Sequence, residues 1–379
     1  MTEASPDAQD LTIDVTDGSV AVASQWQLMW WRFRRHRLAM AGLVVICSLY
    51  LIALFAEFLS PFDPNNYNRR GSFHPPQAIH FFEKTESGYN FHPYVWETKR
   101  KRDPVTLRTT YKYTGNKIYL QFFATGDTYK MWGVFPAAVH LLAPENPRER
   151  FYLLGADRLG RDMLSRTIYG ARLSLSIGLV GVVFALLLGV TLGGLAGYLG
   201  GRTDTVIQRI VEFVLSLPTI PVWLALAASL PPNWSIETRY FVITLIVSLV
   251  GWTELARVVR GRFLSLKTED FVIAAQLDNA PQKRIIFRHM LPSLTSHIIA
   301  SMTLAIPLMI LAETSLSFLG LGLLPPAISW GVLLKEAQDV RSIVLGPWLF
   351  IPGGAVVLTV LAFNFLGDGL RDAADPYSS

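Results

Sequence analysis

Residues 268–292 read TEDFVIAAQLDNAPQKRIIFRHMLP and form a polar island between two long apolar stretches. Within this island, Phe271, Ala274 and Ala275 recur at helical spacing, which predicts a short helix. We expect Asn279 to end that helix, because after Gly, Asn enters the left-handed conformation most cheaply. The proline two residues later can open a second helix, since a first-turn residue needs no backbone donor. The sequence therefore predicts a rigid, exposed helix–turn–helix that a soluble partner can bind.

The island resembles the cytoplasmic EAA loop of bacterial ABC-transporter permeases, in particular the C-type permease of dipeptide and oligopeptide importers. The positions that fit the family pattern are Asp270, Phe271, Val272, Ala274, Ala275, Ala280, residues 284–289, Leu291 and Pro292. Ile273, Asp278 and Asn279 depart from the usual Glu, Leu and Gly, and of these Asn can still make the turn. The resemblance implies that a partner ATPase is coupled through Asp270, Ala274, Ala275, Asn279, Ala280, Pro281 and Arg284.

Three further segments resemble the same family. Residues 153–172 read LLGADRLGRDMLSRTIYGAR and resemble the segment that precedes the second span. Residues 313–331 resemble the end of the fifth span with its outer loop, and residues 367–376 resemble the cytoplasmic tail. The resemblance covers about residues 25–60 and 150–379, and the stretch between them is interpreted as a long outer insert.

The composition is that of a polytopic membrane protein. Of 379 residues, 51% are hydrophobic and 17% are charged, whereas soluble domains have about 45–50% apolar and about 25% charged residues. The mean hydropathy is +0.33, and the apolar residues are clustered into long stretches. The net charge of +5 does not predict a nucleic-acid partner, because the basic residues lie in loops beside these stretches. The only cysteine, Cys47, excludes an internal disulfide and a thiol metal site.

Six apolar stretches are long enough to cross about 30 Å of hydrocarbon at 1.5 Å per helical residue. The predicted spans are 38–59, 173–199, 205–230, 238–258, 293–318 and 347–366. The fold class is therefore all-α, with six transmembrane helices of the kind that the resemblance to ABC importer permeases implies. Gly193 and Gly197 in the second span indicate close helix packing, and Pro218 in the third should kink or unwind that helix.

The basic residues beside the spans predict the orientation. The segments assigned to the inside carry Arg32, Arg34, Arg35, Arg37, Arg202, Arg257, Arg260, Arg262, Lys267, Lys283, Arg284 and Arg288. The short outside loops carry only Arg239, Lys335 and Arg341. By the positive-inside rule, both termini and the island are cytoplasmic in a multi-pass protein of the bacterial inner membrane.

Residues 60–172 are too polar to cross lipid and are predicted to be extracytoplasmic. Stretches 105–113, 117–123 and 128–132 have strand character, and turn signals at 114–116 and 125–127 predict a small three-stranded β-meander. The predicted divisions are a cytoplasmic tail and interfacial segment at 1–37, span one at 38–59, the insert at 60–172, a permease core at 173–366 that includes the coupling loop at 259–292, and a cytoplasmic tail at 367–379.

The sequence lacks the chemistry of an enzyme. It has no Gly-x-x-x-x-Gly-Lys-Ser/Thr phosphate loop, no histidine pair with metal-ligand spacing, and no nucleophile with a base and an orienting group. We therefore expect no catalytic residue, no metal and no cofactor in this chain. A polar group within an apolar span marks a candidate pathway, and on this ground Glu313 and Ser315 are candidate lining residues.

The resemblance implies a permease subunit that forms half of the transmembrane pathway of an ATP-driven importer for peptides or similar small solutes. It also implies the partners: a homologous second permease, two ABC ATPase subunits that bind ATP and Mg²⁺, an extracytoplasmic substrate-binding protein, and membrane lipid. Dipeptides, longer peptides, peptide antibiotics, nickel chelates and glycosides all remain open as substrates.

Two alternatives belong to other classes. A secondary transporter should have two matching halves, or broken helices with ionisable residues at mid-membrane. A membrane enzyme or receptor that works through the outer insert should have clustered functional side chains there. The sequence shows neither matching halves nor a mid-membrane charge pair, and a secondary transporter would leave the island unexplained. The insert shows no clustered catalytic side chains. Co-purification of two ATP-binding subunits would separate all three.

Overall fold

The computed structural model describes residues 25–374 except 86–87, 103, 105–108 and 232. Most of the predicted N-terminal tail, the start of the predicted strand at 105–113 and the last five residues of the chain lie outside this described part. The fold consists of a helical bundle with one antiparallel sheet inserted between its first two long helices.

Helices account for most of the described chain. Before the island they are α1 (Gln25–Arg35), α2 (Arg37–Leu54), α3 (Ala56–Leu59), α4 (Met163–Leu199), α5 (Gly201–Ser216), α6 (Thr219–Ala228) and α7 (Ile236–Leu266). From the island onward they are α8 (Asp270–Leu277), α9 (Gln282–Arg284), α10 (Leu291–Ser293), α11 (Thr295–Phe318), α12 (Trp330–Glu336), α13 (Val340–Leu345) and α14 (Ile351–Ala374). A π-helix at Ile285–Met290 joins α9 to α10, and a 3₁₀ turn at Pro347–Phe350 precedes α14.

Five helices are long and apolar enough to cross a membrane, namely α2, α4, α7, α11 and the last helix with its 3₁₀ turn. The predicted third span is a pair, α5 and α6, bent by 84°, so the count reaches six when this pair is taken as one broken span. The break confirms the predicted kink at Pro218. Proline disfavours the helical conformation of the residue before it, and Leu217 is accordingly extended, with φ −81° and ψ 135°.

The helix that contains the second predicted span, 173–199, extends ten residues further towards the N-terminus and begins at Met163. Asp162 caps the helix: its Oδ2 accepts hydrogen bonds from the Ser165 amide at 2.8 Å and from the Ser165 hydroxyl at 2.7 Å. Burial raises the pKa of this capping carboxyl to about 6. The cap places the start of the helix inside the segment that sequence reasoning assigned to the outer insert.

The insert contains a four-stranded antiparallel sheet in the order β1-β2-β3-β4. The strands are β1 (His80–Thr85), β2 (Gly88–Arg102), β3 (Thr109–Met131) and β4 (Phe135–Pro144). A small antiparallel sheet is present as predicted, but the predicted three-stranded meander is wrong. Both predicted turns, at 114–116 and 125–127, lie within β3, so the described parts of the three predicted strands run together as one strand, and the sheet has four strands. The register between β3 and β4 shifts between Thr125 and Tyr129, so the residues predicted to form the second turn form a β-bulge within the strand. The chain instead reverses at residues 132–134, between β3 and β4.

Helices α4 and α7 pack against each other at very short range, as the glycines predict. A Cβ added at Gly193 would lie 2.4 Å from the backbone oxygen of Ala256, and one at Gly197 would lie 2.8 Å from that of Arg260. Only a residue without a side chain fits between two backbones at this distance.

We predict that Gly193→Ala destabilises the protein by about 1–3 kcal/mol, because the added methyl group meets backbone rather than a movable side chain. The matched control is Gly261→Ala on α7, where nothing lies within 4 Å of the added Cβ. Thermal unfolding of both purified variants in detergent provides the measurement. Equal stability of the two variants would contradict the close packing of α4 and α7.

Candidate coupling surface and translocation pathway

The turn of the island has the conformation that the sequence predicts. Asn279 has a φ of +55°, and its amide donates to the Gln276 carbonyl at 3.0 Å. The Ala280 amide donates to the Ala275 carbonyl at 3.1 Å. These two bonds form a Schellman motif, in which a left-handed residue just past the helix end lets the next amides satisfy its last carbonyls. The position of Asn279 therefore sets the angle between α8 and the segment that follows it.

The second half of the island differs from the single helix that was expected. Pro281 lies at the N-cap of the short helix α9, where the Arg284 amide donates to its carbonyl at 2.8 Å. A π-helix follows, and then α10 with Pro292 in its first turn. Pro292 has no amide hydrogen to offer the Arg288 carbonyl, and a wider turn is a common adjustment to such a loss.

One side of the island packs into the protein. Val272 and Ala275 on α8 are buried against Phe263 of α7 and against Ile285 and Met290 from the π-helix. Of the predicted coupling residues, Ala275 therefore faces inward. Ala280 is half-buried, and the exposed ones are Asp270, Ala274, Asn279, Pro281 and Arg284.

The other side of α8 presents apolar side chains that sequence reasoning did not single out. Leu277 is 82% exposed and Ile273 is 42% exposed, and they are four residues apart on one helix face. Phe287 of the π-helix is 60% exposed. The i, i+4 spacing of two large aliphatic residues within a polar island would have predicted this exposed apolar face from the sequence.

Glu313 lies within the helix packing and has no exposed surface. Its carboxyl oxygens accept hydrogen bonds from Ser317 at 2.8 Å, from Ser329 at 2.7 Å and from Ser174 at 3.2 Å. The Ser174 hydroxyl in turn accepts from the Trp330 amide at 3.1 Å. This cluster joins α4, α11 and the N-terminus of α12, so Glu313 does not face a cavity in this conformation.

Ser315 is placed differently, although it is only two residues away. It is exposed and lines a cavity of about 400 Å³ between α6, α7 and α11. Most of the lining is apolar, and its polar side chains include Thr219 of α6 and Glu254 of α7, with Trp223 of α6 beside them. The structure thus separates the two candidate lining residues, with Ser315 on the cavity and Glu313 behind it.

A second polar cluster joins α4 to α12 on the sheet side of the bundle. The Arg161 guanidinium contacts Asp157 at 2.6 Å and Glu336 at 2.7 Å. Arg166, which is almost fully buried, contacts the same Glu336 oxygen at 3.2 Å. Sequence reasoning used this segment only for its family pattern, because the partner Glu336 is too distant in the chain to be recognised.

Within the described part of the chain, no group of three or more His, Cys, Asp or Glu side chains is arranged to hold a metal ion. Of the four histidines between α2 and α4, His74 and His140 are buried. Burial lowers the pKa of His74 to about 4, and its ring contacts Pro75 and Thr98. The His140 ring likewise forms hydrogen bonds within the chain, with the carbonyls of Ser60 and Asp127.

Comparison with known proteins gives two family matches. Residues 189–377 match the model described as "Binding-protein-dependent transport system inner membrane component". Residues 24–76 match "N-terminal TM domain of oligopeptide transport permease C". The second match covers the end of the N-terminal segment, α1, α2 and the start of the insert.

The chain is also similar to curated proteins along most of its length. It is 31% identical to the oligopeptide transport system permease protein OppC of Bacillus subtilis, over 93% of this chain and 90% of that one. It is 32% identical to the dipeptide transport system permease protein DppC of the same organism, over 93% and 86%. A solved structure of the MetNI methionine ABC transporter, in inward-facing conformations, overlays with a TM-score of 0.43 at 16% identity, over 56% of this chain and 97% of that one.

We predict that Asn279→Gly preserves the island and that Asn279→Val disrupts it. A β-branched residue is a genuine outlier at a positive φ, and the left-handed conformation costs an ordinary residue about 1–2 kcal/mol. Limited proteolysis of the purified protein should therefore cut the Val variant within residues 268–292 faster than the parent. Asp278→Val is the matched control, since residue 278 is exposed and has a φ of −72°. Equal cutting of the two Val variants would contradict the turn argument.

Proposed function

The chain belongs to the family of binding-protein-dependent inner-membrane transport permeases, and we propose that it forms half of the transmembrane pathway of an ATP-driven importer for peptides or similar small solutes. The names of its relatives support a peptide substrate. A homologous second permease would supply the other half of the pathway, and an extracytoplasmic binding protein would deliver the substrate.

The observation that carries this proposal is the exposed face of α8. Ile273, Leu277 and Phe287 expose apolar surface, yet the same island carries charged residues, which are Glu269, Asp270, Asp278, Lys283, Arg284 and Arg288. Charge of this density does not enter the hydrocarbon of a bilayer, so a protein partner fits this surface better than lipid does. We assign the partner as an ABC ATPase, which binds ATP and Mg²⁺ through its own residues.

The packing of α8 supplies a path for coupling. Its buried residues Val272 and Ala275 contact Phe263 at the C-terminal end of α7, and α7 packs tightly against α4 through Gly193. A force on α8 therefore acts on two long spans rather than on a flexible loop. Movement of the ATPases would tilt α7 and α4 and switch the pathway between inward-open and outward-open states, provided that the ATPase contacts differ between those states.

Ser315, Thr219 and Glu254 are the polar groups that we assign to the pathway, because they line the cavity between α6, α7 and α11. A largely apolar wall with a few polar groups suits passage of substrates with varied side chains. Glu313 would support this wall from behind by holding α11 to α4 and α12. The orientation follows the positive-inside rule, with both termini and the island in the cytoplasm and the sheet outside.

Family membership favours an importer over a secondary transporter or a receptor. The bent α5–α6 pair is a broken helix of the kind that secondary transporters use. However, residues 213–223 around its break carry no charged side chain that could bind a coupling ion.

We predict that residue 113 is outside the cell and residue 277 is inside. Tyr113 is 75% exposed on the sheet and Leu277 is 82% exposed on α8, so a cysteine at either position can react. In a Cys47→Ser background, an impermeant maleimide should label Tyr113→Cys in intact spheroplasts and should label Leu277→Cys only after lysis. The reverse pattern would invert the proposed orientation.

We predict that Leu277→Asp reduces capture of the ATP-binding subunits several-fold and abolishes uptake, because a carboxylate would replace the most exposed apolar side chain of α8. Thr268→Asp is the matched control, since it adds the same charge to the island just before α8, where the helix N-terminus favours it. Affinity purification followed by quantification of the bound subunits measures the effect. Normal capture by Leu277→Asp would rule out this face as the docking surface.

A further inference from the structure

Two aromatic residues on the outer sheet have strained backbones. Phe123 has a φ of +55° and Trp132 has a φ of +52°. Bulky residues seldom adopt this region, and such a conformation costs of order 1–3 kcal/mol unless the surroundings hold it. In both cases the strained backbone brings the ring against the segment that follows α2: Phe123 lies 6.0 Å from Phe58, and Trp132 lies 6.4 Å from Phe55, between ring centroids.

The turn between β3 and β4 is fastened to the end of α2. The Trp132 indole donates to the Leu54 carbonyl at 2.8 Å, and its amide donates to a Glu57 carboxylate oxygen at 3.2 Å. Arg172 holds the other oxygen of that carboxylate at 2.5 Å. The turn is therefore positioned by contacts to both the first and the second long helix.

The surface of this turn is apolar and uncharged. Residues 131–136, which we call the hairpin tip, read MWGVFP. Trp132 is 48% exposed, Val134 is 68% exposed and Phe135 is 60% exposed. The Phe135 ring lies 6.3 Å from that of Trp132, so the exposed rings continue from Phe55 across the hairpin tip.

The length of α2 places the hairpin tip relative to the bilayer. Its 18 residues span about 27 Å at 1.5 Å each, slightly less than the roughly 30 Å of hydrocarbon. The basic residues of α1 and Arg37 hold its first end among the headgroups. Leu54 at the other end therefore lies at the outer edge of the hydrocarbon, and Leu51 and Leu54, exposed by 55% and 46%, continue the lipid-facing surface to the hairpin tip.

We propose that the hairpin tip is an interfacial membrane anchor that inserts into the outer leaflet beside α2 and ties the sheet to the bilayer. Trp is enriched at the headgroup level, and the Trp132 N–H needs no partner there, because it already donates to the Leu54 carbonyl. Lipid fits better than a protein partner because the surface is continuous with the lipid-facing side of α2. In addition, Lys130 flanks the uncharged tip, where its ammonium can reach the headgroups. This inference does not depend on what is transported.

Collision accessibility of a nitroxide label tests the proposal. The nitroxide is attached to Val134→Cys in the full-length chain, which also carries Cys47→Ser. The labelled protein and the subunits that copurify with it are reconstituted into vesicles of phosphatidylethanolamine and phosphatidylglycerol. Tyr113→Cys on the same sheet is the matched control. We expect the label at 134 to be several-fold less accessible to a water-soluble nickel chelate than the label at 113, and more accessible to oxygen. Equal access of the chelate to both labels would overturn the proposal.

Two further readouts separate contact with lipid from contact with protein. If the label at 134 is accessible to the chelate in the vesicles but is shielded when the binding protein is added, the hairpin tip is a protein docking surface and the lipid assignment is wrong. The second readout needs no label and uses the intrinsic tryptophan fluorescence of the protein in vesicles.

Lipids brominated at shallow acyl positions quench tryptophans that lie near the headgroups. If Trp132 is one of them, the quenched part of the fluorescence should decrease in the Trp132→Phe variant. A decrease in the unquenched part instead would also overturn the proposal.

Discussion

The carboxyl group of Glu313 is the point on which the arrangement of the bundle depends. Removing a carboxyl group from water costs several kcal/mol unless donors replace the water. Here the replacement donors are hydroxyls from three elements: Ser174 on α4, Ser317 on α11 and Ser329 at the start of α12. None of these helices can shift alone without leaving the carboxyl group unsatisfied, so the three behave as one unit.

Close backbone contact reinforces that unit. A Cβ at Gly331 would lie 2.7 Å from the Thr314 carbonyl oxygen, so α12 lies directly against α11. The Trp330 indole donates to the Thr167 carbonyl of α4 at 3.1 Å. The salt bridge between Arg161 and Glu336 adds a second contact, which joins α12 to the segment that precedes α4. The ends of α4 and α11 that meet α12 are thus rigid, and packing is looser beside the cavity that Ser315 lines.

The end of the bundle that carries the island is built in the opposite way. The island rests on α7 through a small buried cluster, and the segment that returns to α11 passes through a π-helix before Pro292. A wide turn of this kind often marks a functional hinge. The bundle therefore combines a fixed frame at one end with a rigid α8 on an adaptable connection at the other, and this combination suits the coupling that we propose. The sheet, held to α2 at Trp132, adds a second fixed element at the end opposite to α8.

The sequence by itself determined the features that depend on neighbouring residues. Apolar length located the long spans, Pro218 located the break in the third, and Asn279 located a positive φ, because each property is set within a few residues. Tertiary structure decided what depends on distant partners. The turn signals at 114–116 and 125–127 became part of β3 because pairing with β2 and β4 outweighed them. Glu313 and Ser315 were equivalent in sequence, yet the burial of one and the exposure of the other follow from helices whose residues lie far apart along the chain, and no local pattern encodes where those helices meet.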